Sequence, residues 1–287
     1  MYLDYLGLKE KPFSVTSDPS FLFLSKKHRE ALSHMIYGIR ERKGFIEITG
    51  DVGTGKTTVC KALLRHLDAN TKTALLLHSN LSELQLLQSV LQDFGLNPMT
   101  SNRLTMLNQL NRFLLEQVQI GKNLVLIIDE AQNLSLRLLE QIRMLSNFET
   151  DKEKLIQIVL VGQPQLRQKL ALPAMEQLRQ RIGVRYHIYP LSQEEIATYI
   201  DHRLRLAGSS GSIEWTPDSF EEIFRYSKGV PRLINQLCDR TLLACYIFKT
   251  RRIDAEIVRH SAQELSGESF ADASATETPL ATGGTAL

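Results

Sequence analysis

Cysteine is scarce in this 287-residue chain: there are three, Cys60, Cys238 and Cys245. No two stand in a CxxC spacing and none has a partner histidine nearby, which argues against a zinc site and a disulfide framework and favours a reducing cytoplasm. Long hydrophobic runs are missing too. The longest uncharged ones, "LVLII" at 124–128 and "LLACYIF" at 242–248, fall far short of the ~20 apolar residues that a spanning helix needs. The opening "MYLDYLGLKEKPF" lacks the form of a secretory signal. The chain is therefore expected not to span a membrane by itself. Nor is there an excess of one charge: 34 basic and 32 acidic residues leave a formal charge of +2, so the global balance demands neither nucleic acid nor an anionic membrane. No internal repeat of about 20 to 50 residues marks a solenoid or propeller.

What is present is a hydrophobic share of 43%, enough to bury the core of one large domain or two modest ones. Short β-type runs alternate with helical patterns, which argues for an α/β fold with a parallel sheet. The runs predict strands at 45–50, 73–79, 123–130, 156–162 and 184–191, with helices between them, among them "KTTVCKALLRHL" from Lys56 and "LSELQLLQSVLQDFG" ending at Gly95. After Leu191 strands are expected to cease. Ser192 and Glu195 make a capping box, Thr216 with Pro217 opens a second helix that stops near Gly229, and "PRLINQLCDRTLLACYIF" and "DAEIVRHSAQEL" supply two more. The expected division is an α/β domain over 1–191, a small helical domain over 192–266, and a disordered tail over 267–287, whose residues are small, polar and glycine-bearing.

The chemistry begins at Gly50-Asp51-Val52-Gly53-Thr54-Gly55-Lys56-Thr57, followed by Thr58, which matches G-x-x-x-x-G-K-[ST] between a strand and a helix. Glycines let backbone N–H groups turn toward phosphate oxygens, and the helix N-terminus adds partial positive charge. Lys56 reaches the terminal phosphates and Thr57 offers its hydroxyl to Mg²⁺. The second piece is "LVLIIDEAQ", which ends a strand on Asp129 and Glu130. Ligands bind at that end of an open parallel sheet. Asp129 can hold Mg²⁺ there, directly or through water, while Glu130 orients and deprotonates an attacking water. A DE pair one strand beyond the usual GTPase position, together with the lack of an NKxD motif, favours ATP over GTP.

Three further positions complete the set. Gln163, in "IVLVGQPQL", ends the next strand and can contact the γ-phosphate or the water. In "MEQLRQRIGVRYHIYPL", Arg179, Arg181 and Arg185 stand where a neighbouring copy's nucleotide can be reached, with Arg181 favoured and Arg179 second. Arg232 follows Gly229 and Pro231 at the start of a helix and can point back at the phosphates, so that hydrolysis is felt as domain movement.

Together these residues resemble an AAA+ ATPase: a P-loop parallel sheet followed by a small all-helical lid. Within that superfamily the chain is similar to the ExeA or general secretion pathway protein A group over residues 1 to about 265. The resemblance is carried by the opening "YLDYLGLKEKPFSVTSDPSFLFLSKKHREALSHMIYGI", "LEQIRMLSNFET", "IVLVGQPQLRQKL" and "GVPRLINQLCDR", besides the P-loop and the DE pair, and its most selective parts are the opening and the LSNFET and GQPQL segments. The resemblance implies ATP and Mg²⁺ as cofactors, a ring or filament of identical copies, and an N-terminal segment that closes over the base, with His28 and Arg29 opening its helix. For Phe13, Phe21 and Phe23, simple core packing is expected. Proteins of this group that resemble full secretion proteins continue into a transmembrane helix and a peptidoglycan-binding domain. This sequence ends at Leu287 before either, so a cytoplasmic motor or switch is expected, in secretion, pilus or exopolysaccharide assembly and peripheral to the inner membrane through a partner. The alternative is a DNA-loading transposition regulator of the TniB or TnsC type, for which Lys26, Lys27, Arg29, Arg251 and Arg252 offer basic positions. A third class, passive ATP binding without hydrolysis, is disfavoured by Glu130.

Overall fold

The computed structural model describes residues 1–14, 19–77, 81–98, 100–150 and 153–266. The disordered tail expected over 267–287, and the last two residues of the second expected strand, lie outside the described residues. Five strands, β1 (Phe45–Gly50), β2 (Thr71–Leu76), β3 (Asn123–Ile128), β4 (Gln157–Gly162) and β5 (Ile182–Ile188), form one sheet in the order β2-β3-β4-β1-β5. Every pairing is parallel. The P-loop strand β1 is therefore separated from the DE strand β3 by β4, the arrangement the sequence implied.

Both faces of the sheet are covered, so β1 and β4 are buried along their whole length. Side-chain alternation divides the core in two. Ile46, Ile48, Val125, Ile127, Val159 and Val161 face α2 (Lys26–Arg40) and α3 (Lys56–His66), meeting Ala31, Met35, Val59 and Leu63. Phe45, Leu124, Leu126, Ile128, Ile158 and Leu160 face the other way. They pack on α4 (Glu83–Asp93), α5 (Arg103–Gln119), α6 (Leu136–Leu145), α7 (Pro164–Leu170) and the short α8 (Glu176–Gln180). Helix starts follow the capping chemistry: the Ser25 side chain accepts from His28 N, that of Ser135 from Leu138 N, and Asn102 caps α5.

Beyond Leu191 come α9 (Gln193–Leu206), α10 (Pro217–Ser227), α11 (Pro231–Phe248) and α12 (Ala255–Ser266). The capping box of Ser192 and Glu195 forms as expected. The expectation that strands cease here needs correction: β6 (Glu214–Trp215) and β7 (Arg252–Ile253) pair in parallel. At two residues each they are too short to show any alternation in sequence. They clip the loop before α10 to the turn after α11 through Glu214 N to Arg251 O and Thr216 N to Ile253 O, both 2.9 Å.

The first residues of the chain join this helical body. Helix α1 (Tyr2–Leu6) stops at Gly7 in the left-handed region. Leu6, Leu8, Phe13 and Phe21 then share a core with Ile196, Tyr199, Ile200, Ile234, Leu237 and Cys238. Arg203 of α9, only 7% exposed, fastens the segment. Its guanidinium donates to Pro12 O at 2.5 Å and Ser14 O at 3.2 Å and lies 4.9 Å from the Phe21 ring centre. A buried guanidinium needs acceptors, and here backbone carbonyls and an aromatic face supply them.

Candidate nucleotide-binding and catalytic site

The loop 50–55 leaves the end of β1 and runs into α3, turning at Gly53 and Gly55, whose φ angles are 81° and 92°. Lys56 opens the helix and folds back over the loop, donating to Gly50 O and Asp51 O, each at 2.9 Å. Burial pushes its pKa down, while the charges of Glu130, Asp129 and Asp51 oppose that shift. Lys56 is 6% exposed and its ammonium is hydrogen-bonded to two neutral carbonyl oxygens, the setting into which an anionic group fits.

Beside it, Thr57 Oγ1 donates to Asp129 Oδ2 at 2.7 Å. Asp129 is 3% exposed and sits just past β3, its N–H bonded to Leu76 O at 2.9 Å. A hydroxyl and a carboxylate side by side are hard oxygen donors. Among the described residues no group of three or more His, Cys, Asp or Glu side chains forms a metal cage. Two protein oxygens beside a phosphate pocket are the donor set Mg²⁺ takes, since it keeps waters and phosphate oxygens for the rest of its shell.

Strand β3 stops at Ile128, two residues short of the expected end, because the chain turns out of the sheet. Glu130 takes a left-handed conformation with φ 51°. Its carboxylate is held by two amides: Oε2 accepts from Gln132 Nε2 at 2.5 Å and from Gln163 Nε2 at 3.3 Å. Gln163 N donates in turn to Gln132 Oε1 at 2.9 Å. Sequence reasoning named Glu130 and Gln163 and missed Gln132. Gln132 sits within the same "DEAQ" segment, and Gly162, just before Gln163, was the available signal, because a glycine at a strand tip marks a close approach.

The far side of the cleft comes from the helical body. Arg232 N bonds to Gly53 O at 3.3 Å, and its exposed side chain lines the cleft with Asn235 one turn on. The cleft has a volume of about 320 Å³, and Phe21, Phe23, Tyr199 and Arg203 are among the residues that line it. Phe13 and Phe21 are core residues, as expected, whereas Phe23 is partly buried and faces the cleft. His28 does more than open α2. Its Nε2 lies 2.8 Å from Thr54 O, which can only accept, and its Nδ1 lies 2.7 Å from Ser25 Oγ. Nε2 therefore carries the proton, and burial lowers the ring's pKa.

The structure thus gathers 50–58, Asp129, Glu130, Gln163 and Arg232 around one cleft. It keeps the rim arginines apart from it. Arg181 donates to Ser146 Oγ at 2.8 Å and Asn147 Oδ1 at 2.5 Å. Arg185 donates to buried Glu47 at 3.2 Å, and Arg179 is exposed. None of the three lines the cleft of its own chain.

Comparison with known proteins agrees with this architecture. Residues 39–170 match the family model described as "AAA domain". General secretion pathway protein A of Aeromonas hydrophila is 42% identical over 268 residues, which is 93% of this chain and 49% of that protein, so the chain spans about half the length of its relative. Among solved structures, the ORC2 protein of Aeropyrum pernix superposes with a TM-score of 0.64 at 17% identity, covering 86% of this chain and 68% of that one. The RuvB Holliday junction branch migration motor of Thermotoga maritima gives 0.54 at 20% identity, covering 83% and 68%. At these identities the likeness is one of fold. The P-loop at 50–57, the sheet order and the 42% identity converge on one conclusion: the chain is an AAA-domain protein of the P-loop fold, belonging with general secretion pathway protein A.

Proposed function

We propose that the protein binds ATP with Mg²⁺ and hydrolyses it, working as an oligomeric motor or switch in secretion or envelope assembly. The observation that carries this reading is the join between the two motifs. Thr57 and Asp129 are hydrogen-bonded at 2.7 Å, and Lys56, Thr57 and Glu130 line the same cleft. Lys56 and the loop amides hold the phosphates, and Thr57 with Asp129 holds Mg²⁺, which would supply charge neutralisation between the phosphates. Glu130 orients the attacking water and takes its proton, and Gln163 reads the terminal phosphate from the tip of β4. Arg232, bonded through its own backbone to the P-loop, carries the state of the phosphates into the helical body.

Arg181 is assigned to a neighbouring copy's site. It does not line its own cleft and is hydrogen-bonded to two neutral acceptors, with the carboxylates of Glu140 and Glu149 within reach of its charge; a phosphate can outcompete the neutral acceptors. The secretion setting rests on the relation to general secretion pathway protein A. Among the described residues no helix is long and apolar enough to cross a membrane, and a partner at the membrane face belongs to the same reading.

The test is steady-state ATP hydrolysis with and without Mg²⁺, in the parent and in Glu130→Gln. Loss of a positioned base lowers the rate by about 10²-fold or more, with nucleotide binding kept. A variant as fast as the parent would show that the base is assigned wrongly. A gel shift with duplex DNA at two salt concentrations belongs to the same experiment: tight, ATP-dependent and salt-sensitive binding would replace the secretion reading with a DNA-loading one.

A further inference from the structure

We propose that Gln132 is the positioning residue of the hydrolytic site, a single side-chain amide that sets Glu130 according to the position of the β4 tip. The inference rests on the reading of Glu130 as the base. Gln132 is 8% exposed and all its polar groups on this side are used. The sense of the amide is fixed without any assumption. Gln163 N can only donate, so the atom 2.9 Å from it must be the carbonyl Oε1, which turns Nε2 onto Glu130 Oε2 at 2.5 Å. The backbone at Gln132 is pinned as well, since Lys169 of α7 donates to the carbonyls of Gln132 and Leu134.

Room for this amide depends on Gly162. A Cβ there would lie 2.8 Å from Gln132 Oε1, closer than real Cβ atoms come, and 3.2 Å from Gln132 N, a tight contact. The last residue of β4 is thus hollowed to admit a side chain from the turn after β3. The register between β3 and β4 ends at Ile128↔Leu160, and beyond it the turn after β3 and the tip of β4 are joined by one rigid planar group. A shift of Gln163 moves Oε1, and the same plane moves the N–H that aims Glu130. Because Gln132 does not line the cleft, it acts on the rate through Glu130 and not on the affinity.

The experiment compares Gln132→Met, Gln132→Glu and Gly162→Ala in the full chain, each measured for kcat, KM and ADP affinity, and Gln132→Met also on the Glu130→Gln background. Misaiming a catalytic group by about 1 Å can cost on the order of 10²-fold. Gln132→Met, which keeps the length and loses both bonds, is therefore expected to lower kcat by about 10- to 100-fold, with KM and affinity nearly unchanged. Gln132→Glu keeps the acceptor for Gln163 and loses the donor, and should be as slow as the Met variant. Gly162→Ala, which expels the amide without changing it, should be slow too. On the Glu130→Gln background, Gln132→Met should cost nothing further in single turnover. A Gln132→Glu variant at the parental rate, or a Met variant that loses affinity and rate alike with a lower Tm, would reduce Gln132 to a structural prop. If Glu130→Gln itself stays at the parental rate, the base and this inference fall together. If Glu130→Gln is inactive while Gln132→Met is normal, this inference alone fails.

Discussion

Replacing Gly229 with alanine should loosen the helical body from the sheet, and the size of the effect can be worked out from the structure. Gly229 has φ 76°, and a Cβ at that position would lie 2.0 Å from Leu191 O. Leu191 N returns a hydrogen bond to Gly229 O at 2.9 Å, so the two backbones are locked at the junction that leads into Arg232. Left-handed backbone costs a residue with a Cβ about 1 to 2 kcal/mol. Relieving an overpacked contact costs about 1 to 3 kcal/mol more. Gly121, in the turn after α5, separates the two costs: it has φ 75° and no atom within 4 Å of its would-be Cβ. Gly121→Ala should therefore show the backbone cost alone. The difference of about 1 to 3 kcal/mol, at about 2 to 4 °C per kcal/mol for a chain of this order, places the Gly229→Ala Tm roughly 5 °C below that of Gly121→Ala by scanning fluorimetry. ADP affinity should fall in the first variant alone. Equal melting points would mean that the Leu191 approach costs nothing, and the argument for a locked junction would be refuted.

Two further outcomes follow from described side chains. Burial holds the His28 pKa below its ordinary value, with the hydrogen bond to Thr54 O and the charge of Glu195 opposing the shift. The unfolded chain therefore binds the extra proton, and stability is lost as pH falls from about 6.5 through the folded value. The Tm should drop between pH 7.5 and 5.5, and drop less in His28→Gln, the difference between the two curves isolating this group from His187 and His202, whose pKa values are also lowered by burial. Arg203→Met leaves the Pro12 and Ser14 carbonyls without their donor. A loss of about 2 to 4 kcal/mol is expected, together with faster tryptic cleavage after Lys9. Unchanged cleavage would mean that Arg203 does not fasten the N-terminal segment.

What the sequence made legible was what is local. The P-loop and the DE pair are runs whose meaning depends on a strand before and a turn after, and both contexts can be read from neighbouring residues. Arg232 was legible for the same reason, because Gly229 and Pro231 set its turn within four residues. Gln132 was not: its task exists only because β4 brings Gln163 to it from 31 positions away, and no periodicity records a side chain that reaches between strand tips. The His28 bond to Thr54 O is hidden in the same way. Apolar patterning foretold that Phe13 and Phe21 would be buried but carried no information on which core receives them, since burial has a period and a partner does not. The pair β6–β7 was lost to its length.

The core that Phe13 and Phe21 enter has a consequence for how the protein is made. Their partners Ile196, Tyr199 and Ile234 are translated some 180 to 220 positions later. At a synthesis rate of about 5 to 20 residues per second, the opening segment waits on the order of 10 to 40 s before its core exists. For most of that interval the sheet is itself unfinished, since its edge strand β5 ends only at Ile188, and Leu6, Leu8 and Phe13 remain open to water, which makes this segment a stretch for a holding chaperone to cover.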